Sequence, residues 1–229
     1  MTPQRRREQL IRVALRLYAE QPPELVTVDD VARAADVSRA LFYRYFPNIN
    51  ELRLAALRIV VAEVIDAITP PDGGGLLDQA RYALSAFLGS AQNYASAYVA
   101  LLRTGSVVAT QESNELVDSV RNHILNEMAR RLNARAGAGT DGTDGTQGGG
   151  GNGTATRPAP MMELTLRSWF SVVENASVAW LREGKISRER LETWLIDQLF
   201  AMLSTTARHD PATASQLAAA LRGAPLTRP

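Results

Sequence analysis

Several residue types that support enzymatic or extracellular chemistry are absent or scarce in this chain of 229 residues. It contains no cysteine, which excludes disulfide bonds and thiolate metal sites. Its two histidines, His123 and His209, are too few for a histidine-based zinc site without carboxylate ligands. It has neither an apolar run of about 18 residues that could span a membrane nor the apolar segment of a secretory signal. We therefore expect a cytoplasmic protein without a metal, a cofactor or a membrane partner.

The composition favours helices and a local contact with DNA. Hydrophobic residues make up 45% of the chain and aromatic residues only 6%, while alanine, leucine and arginine are abundant. The net charge of +1 argues against a protein that coats nucleic acid, but Arg5, Arg6, Arg7 and Arg12 crowd the amino terminus. A basic end on a nearly neutral body suits a protein that binds DNA along one edge.

The stretch TVDDVARAADVSRALFYRYF, which begins at Thr27, predicts two short helices around a tight turn. Thr27 can cap the first helix in an approximate capping box, and Ser38 can cap the second. Asp36 tolerates the left-handed backbone that a tight turn needs. Phe42 and Phe46 lie four residues apart, so the second helix presents them to the interior. This layout is typical of a DNA-reading helix-turn-helix.

Apolar residues at helical spacing predict helices before and after this stretch, and no strand-like alternation occurs. A first helix ends at the proline pair 22–23, and a long fourth helix begins after Asn48 and runs to about Ile68. The other predicted helices cover residues 76–94, 95–102, 114–132, 162–182 and a segment that Ser187 caps. Residues 137–160 are rich in glycine and threonine and predict a flexible linker. Residues 207–229 predict a loose tail, partly helical at most over 213–221.

The segment from Thr27 to Leu52, TVDDVARAADVSRALFYRYFPNINEL, resembles the tetracycline-repressor (TetR/AcrR) family of bacterial regulators. The resemblance implies an all-α protein with a DNA-binding domain at residues 1–47 and an effector-binding and dimerisation domain at residues 48–206. It also implies a homodimer that binds a palindromic double-stranded DNA operator and is released by a small-molecule effector that we expect to be largely apolar. Repression is the family's usual sign. The fourth helix would couple the two domains.

The resemblance assigns the DNA contacts to the second helix, the recognition helix and the start of the fourth helix. The residues at the corresponding positions are Thr27, Ser38, Arg39, Ala40, Leu41, Tyr43, Arg44, Tyr45 and Asn48. Arginine can bind a guanine edge through two hydrogen bonds, while tyrosine and threonine hydroxyls position a helix on phosphates.

Three positions depart from the family pattern. Asp36 replaces the usual glycine of the turn. Leu41 stands where a small or polar residue is common, and it either touches a thymine methyl group or packs against the protein. Ile49 stands where the family commonly has a lysine, which removes one phosphate contact, although the amides at the helix start can still bind that phosphate.

Aromatic and polar residues of the second domain are candidates for an effector pocket, although each one also fits a purely structural role. These candidates are Tyr82, Phe87, Tyr94, Tyr98, Arg103, Trp169 and Glu174. Glu174 lies in a mostly apolar helix, where it is either a polar group of the pocket or an exposed residue. The apolar faces of the last two helices exceed what one core needs, which predicts a dimer interface. The predicted interface residues are Trp180, Trp194, Leu195, Gln198, Leu199 and Met202.

Two other classes of protein remain open. One is a helical ligand-binding or scaffold protein with weakened DNA binding, which Ile49 alone favours. The other is a nucleic-acid enzyme that uses the helix-turn-helix for targeting. The enzyme would need a carboxylate cluster or a nucleophile in the helical body, and the sequence shows neither a Ser-His-Asp spacing nor a phosphate-binding glycine loop.

Overall fold

The structure is a computed structural model that describes residues 2–71, 75–102, 110–137 and 158–222. All regular structure in these ranges is helical, which confirms the predicted all-α fold. The elements are α1 (Pro3–Glu20), a 3₁₀ turn (Pro23–Leu25), α2 (Val28–Ala34), α3 (Arg39–Tyr43), α4 (Ile49–Ile68), α5 (Leu76–Asn93), α6 (Ala95–Leu102), α7 (Gln111–Gly137), α8 (Pro160–Glu183), α9 (Arg188–His209) and α10 (Pro211–Arg222). None of the helices described is long and apolar enough to cross a membrane.

Caps and prolines set most helix limits where the sequence places them. The α6 limits agree with the prediction, and the side chain of Ser187 caps α9. Helix α7 begins three residues earlier than predicted because the Thr110 hydroxyl accepts the amide of Ser113 at 3.2 Å and caps it. Helix α3 ends at Tyr43, so Phe46 lies in the turn that follows it rather than in the helix.

The chain divides into two compact units, each built from three segments of sequence. The first comprises Met1–Ala67, Ala86–Val120 and Ala176–Lys185. Its core joins α1, α2, α3 and the first turns of α4, and Leu10, Phe42 and Leu52 at its centre are fully buried. Ala97 of α6 packs against this core. The three short helices thus gain the support that their small size requires.

The second unit comprises Ile68–Ser85, Arg121–Asn175 and Ile186–Pro229. In it, the buried indole of Trp169 on α8 donates a hydrogen bond of 2.8 Å to the carbonyl of Leu195 on α9. The hydroxyls of Thr165 and Thr206 form a second buried contact between these two helices, at 2.6 Å. These two contacts pair buried polar groups of α8 with partners on α9, as burial requires.

The predicted loose tail and the limits of the predicted linker need correction. Helix α10 packs against α9. The Asp210 carboxylate caps the first turn of α10 by accepting the amide of Thr213 at 3.0 Å. Thr213 and Leu217 of α10 are buried. At the linker limits, Gly137 belongs to α7 and Pro160 to α8. Residues 138–157 of the predicted linker lie outside the described residues.

Candidate nucleic-acid interface

A full capping box begins α2, as the sequence predicts. The Thr27 hydroxyl oxygen accepts the amide of Asp30 at 3.3 Å, and the Asp30 carboxylate accepts the amide of Thr27 at 3.0 Å. The Thr27 hydroxyl also donates to the same carboxylate at 2.6 Å, and these hydrogen bonds lower the pKa of Asp30. A phosphate contact from Thr27 therefore requires its hydroxyl to turn away from Asp30.

The turn between α2 and α3 takes the conformation expected from its aspartate. Asp36 has a φ of 53°, in the left-handed region. The amide of Val37 closes the turn on the carbonyl of Ala32 at 2.9 Å. The Gln9 side chain of α1 donates to the carbonyl of Ala35 at 3.2 Å. Gln9 thus fixes the turn from outside, which no sequence pattern indicated.

Helix α3 is anchored on one face and open on the other. Ser38 caps it by accepting the amide of Leu41 at 3.2 Å, and Phe42 and Phe46 are buried with ring centroids 5.9 Å apart. The exposed residues are Ser38, Arg39, Ala40, Tyr43 and Arg44, whereas Leu41 and Tyr45 are half-buried. Tyr45 packs against the core of the first unit. The open face thus gathers five of the predicted DNA-contacting residues.

An ion pair links α2 to this open face. The Arg39 guanidinium contacts the Asp29 carboxylate at 3.2 Å, with 61% and 50% of the two side chains exposed. The Tyr43 side chain and then the Asp29 charge raise the pKa of Arg39, which is protonated in any case. Arg39 and Tyr43 lie four residues apart on one helical face. Asp29 is not among the residues that the sequence analysis assigns to the DNA contact.

The start of α4 follows the predicted cap without the family's lysine. The Asn48 side chain accepts the amide of Glu51 at 2.9 Å, and Asn48 is exposed beyond the helix. Ile49 is half-buried and packs against the core of the first unit. Ile49 thus makes a hydrophobic contact at the position where the family commonly has a lysine.

Two arginines support the helix-turn-helix from its flanks. Arg53 of α4 donates to the carbonyls of Pro23, Glu24 and Val26 at 3.1, 3.4 and 3.3 Å, so it holds the connection between α1 and α2. The Arg7 guanidinium lies 4.9 Å from the centroid of the Phe46 ring, a cation–π contact. No sequence motif predicts these contacts of Arg53.

Two family models match the chain. "Bacterial regulatory proteins, tetR family" matches residues 10–56, and "Tetracyclin repressor-like, C-terminal domain" matches residues 76–147. The chain belongs to the TetR family of bacterial regulatory proteins. Its first unit therefore contains the family's DNA-binding helices, and its fold and family are those of transcriptional regulators rather than enzymes.

Individual relatives agree with this assignment. A tetR-family transcriptional regulator from Streptomyces coelicolor superimposes with a TM-score of 0.85 at 29% identity, covering 100% of this chain and 94% of that chain. The uncharacterized HTH-type transcriptional regulator Rv1556 of Mycobacterium tuberculosis is 38% identical over 73 residues, or 32% of this chain and about a third (35%) of that regulator. FadR of Bacillus subtilis, solved with stearoyl-CoA, shares the fold at 14% identity with a TM-score of 0.59, over 84% of this chain and 96% of that one.

The predicted effector-pocket residues of this TetR-family chain fall into separate groups. In the first unit, Phe87 and Tyr98 make an edge-to-face contact at 5.9 Å, and the Tyr94 hydroxyl donates to Glu63 at 3.2 Å. Burial and then the Glu63 charge raise the pKa of Tyr94. Arg103 lies outside the described residues.

The three remaining pocket candidates belong to the second unit. Tyr82 is 47% exposed, and Trp169 is buried against α9. Glu174 is neither free nor solvated, because Arg121 of α7 donates to both of its carboxylate oxygens at 2.9 Å. The structure thus divides the described candidates between the two units and gives local contacts to Phe87, Tyr94, Tyr98, Trp169 and Glu174.

The predicted interface residues separate into buried and accessible ones. Trp180, Leu195 and Leu199 are buried within the protomer. Trp194 is 46% exposed, and Gln198 and Met202 follow it at four-residue intervals as half-buried residues. On α8, Met161 and Leu164 are exposed. Only the accessible residues remain available to a second protomer.

Proposed function

We propose that this TetR-family chain is a cytoplasmic, ligand-responsive repressor that binds a palindromic DNA operator as a homodimer and is released by a small-molecule effector. One observation carries the DNA-binding part of the proposal. Arg39, Tyr43 and Arg44 stand exposed on a capped helix whose opposite face is locked into a core by Phe42. The family assignment supports the same reading.

Helix α3 would lie in the major groove, with its base-reading residues near its amino terminus. There Arg39 would bind a guanine through two hydrogen bonds, and Tyr43 and Arg44 would contact the backbone or a neighbouring base. Two copies of α3 in a symmetric dimer would read half-sites about 34–36 Å apart. Ile49 would weaken the contact at the start of α4 without abolishing it, because helix amides bind phosphate without a lysine.

The DNA-binding proposal is tested by selecting duplexes from a randomised library with the purified protein and measuring their affinity by gel shift across a salt series. We expect an enriched palindrome and an affinity that falls steeply with salt. Failure to enrich any sequence, while the protein stays folded, would falsify the regulator reading and favour a scaffold protein. Repression is then tested with a reporter that carries the selected palindrome in its promoter.

The dimer proposal rests on the accessible apolar residues of α8 and α9. Trp194 offers 46% of its surface and Leu164 offers 58%. A second copy covering both would bury apolar surface that the protomer leaves in water. We expect Trp194→Glu to sediment as a monomer, whereas Tyr82→Glu, at an aromatic residue of similar exposure on α5, leaves the dimer intact. If both variants sediment as monomers, or both as dimers, the interface does not lie at Trp194.

The effector proposal rests on three aromatic residues. In the first unit, Phe87, Tyr94 and Tyr98 place three partly buried aromatic residues on α5 and α6 and in the junction between them, which suits a largely apolar ligand. FadR shares only the fold with this chain, so the stearoyl-CoA bound to FadR does not identify the effector of this protein. Native mass spectrometry of the freshly purified dimer tests for a bound molecule. A mass that disappears in Tyr98→Ala would support the proposal, and an effector that binds equally in this variant would contradict it.

A further inference from the structure

Asp29 is an acidic residue in an unexpected place. It lies in the first turn of α2 and contacts Arg39, the first residue of α3, at 3.2 Å. Half of the Asp29 side chain is exposed. On the proposed function this surface approaches a polyanion, where an exposed carboxylate repels phosphates. Such a charge lowers the affinity of the protein for DNA, whatever its sequence. Only a favourable effect through the contact with Arg39 would offset this loss.

The contact with Asp29 restricts where Arg39 can point. A free arginine on a recognition helix can reach any nearby phosphate, which binds DNA without reading its sequence. Asp29 contacts Arg39 through Nη1, so this ion pair does not use the edge formed by Nε and Nη2, the edge that would make a bidentate contact with guanine. Tyr43, one helical turn further along α3, also interacts with the same guanidinium.

We propose that Asp29 is a positioning residue that makes Arg39 selective for its base while lowering the general affinity of the protein for DNA. The inference rests on the proposed function and concerns the same site. It predicts that the charge of Asp29 and its contact with Arg39 act in opposite directions. The charge weakens binding to all duplexes, and the contact favours the duplex that offers a guanine to the Nε and Nη2 edge of Arg39.

The test compares Asp29→Asn with Asp36→Asn on the selected duplex and on a scrambled duplex of equal length. Asp36 is the matched control, because it is an exposed aspartate of the same motif whose left-handed backbone asparagine also adopts. Both variants remove one negative charge, so both should bind scrambled DNA more tightly. Only Asp29→Asn should reduce the ratio of selected to scrambled affinity, by about fivefold or more, the lower end of what one bidentate base contact contributes.

Arg39→Ala and the double variant with Asp29→Asn complete the cycle. If Asp29 acts through Arg39, adding Asp29→Asn to Arg39→Ala leaves the selectivity ratio unchanged. Asp29→Glu, which keeps the carboxylate, should retain most of the selectivity. Thermal unfolding of each variant checks that the motif stays folded.

Two results would overturn the inference while leaving the proposed function intact. One is an Asp29→Asn ratio no lower than that of Asp36→Asn. The other is a further loss of selectivity when Asp29→Asn is added to Arg39→Ala. A failure of the unaltered protein to select any duplex would instead overturn both the proposed function and this inference.

Discussion

Arg131 on α7 offers a sharp test of what holds the second unit together. It is 9% exposed, and its guanidinium donates to the carbonyl of Pro70 at 2.6 Å and to that of Pro71 at 3.4 Å. It also pairs with Glu127 one turn earlier on α7. The neighbouring Arg130 pairs with the same glutamate, but 57% of its side chain is exposed. Two adjacent arginines therefore share one acid, and only one of them is buried.

We expect Arg131→Met to destabilise the protein far more than Arg130→Met. Methionine fills similar volume but leaves the buried Pro70 carbonyl without its charged donor, a loss of about 1.5–3 kcal/mol. Glu127 keeps Arg130 as a partner, so the broken ion pair adds less than an isolated buried charge would. The sum is roughly 2–3 kcal/mol. Arg130 is 57% exposed and Glu127 keeps Arg131 as a partner, so loss of the Arg130 contact should cost about 0–1 kcal/mol.

The assay is thermal unfolding of the three proteins at one protomer concentration, because the proposed dimer would make the midpoint depend on concentration. For a chain of this size, the Arg131→Met midpoint should fall by about 5–10 °C and that of Arg130→Met by no more than about 3 °C. Equal shifts would show that only the shared glutamate matters. A midpoint for Arg131→Met within about 1 °C of the unaltered protein would refute the role of the Pro70 contact.

Three further predictions concern other buried or capping contacts. Burial raises the pKa of Tyr18 from 10.0 to about 12, so the folded state keeps a proton that the unfolded state loses near pH 10. The free energy of unfolding should therefore fall by roughly 2–3 kcal/mol between pH 10 and 12, and less in Tyr18→Phe, as pH-dependent urea unfolding can measure. Arg53→Met should speed hydrogen exchange of the Leu25 and Val26 amides, while Arg58→Met, on the exposed side of α4, should not. Gln216→Ala removes the acceptor of the Ala159 amide at 3.0 Å and should lower the midpoint by about 2–4 °C, whereas a shift below about 1 °C would show that water replaces Gln216.

Local chemistry made much of the helix-turn-helix predictable from the sequence. The capping box at Thr27, the left-handed Asp36 and the cap at Ser38 each depend on residues within four positions of one another. Such short-range signals are readable in a single chain. A signal of the same kind lies in the tail, where Asp210 caps α10 and Pro211 begins it.

Long-range contacts were not predictable because the partners lie far apart in the chain. Gln9 reaches the carbonyl of Ala35, Arg53 reaches three carbonyls near residue 25, and Arg121 reaches Glu174. Each joins a polar side chain to a partner 26 or more residues away, and no periodicity marks it. The surroundings of the pocket and interface candidates were not predictable for the same reason. Helical spacing places a residue on a face of its helix but does not show which other element covers that face.

Charge at the candidate interface explains why selectivity should depend on arrangement rather than on attraction. Acidic and basic side chains balance in the segment that spans α2, the turn and α3. They are Asp29, Asp30 and Asp36 against Arg33, Arg39 and Arg44. A balanced surface gains little from counterion release, so general attraction would come mainly from the arginines at the start of α1. On the proposed function, operator choice then depends on where the α3 arginines are held, which is why the Asp29–Arg39 contact should change selectivity more than affinity for the operator.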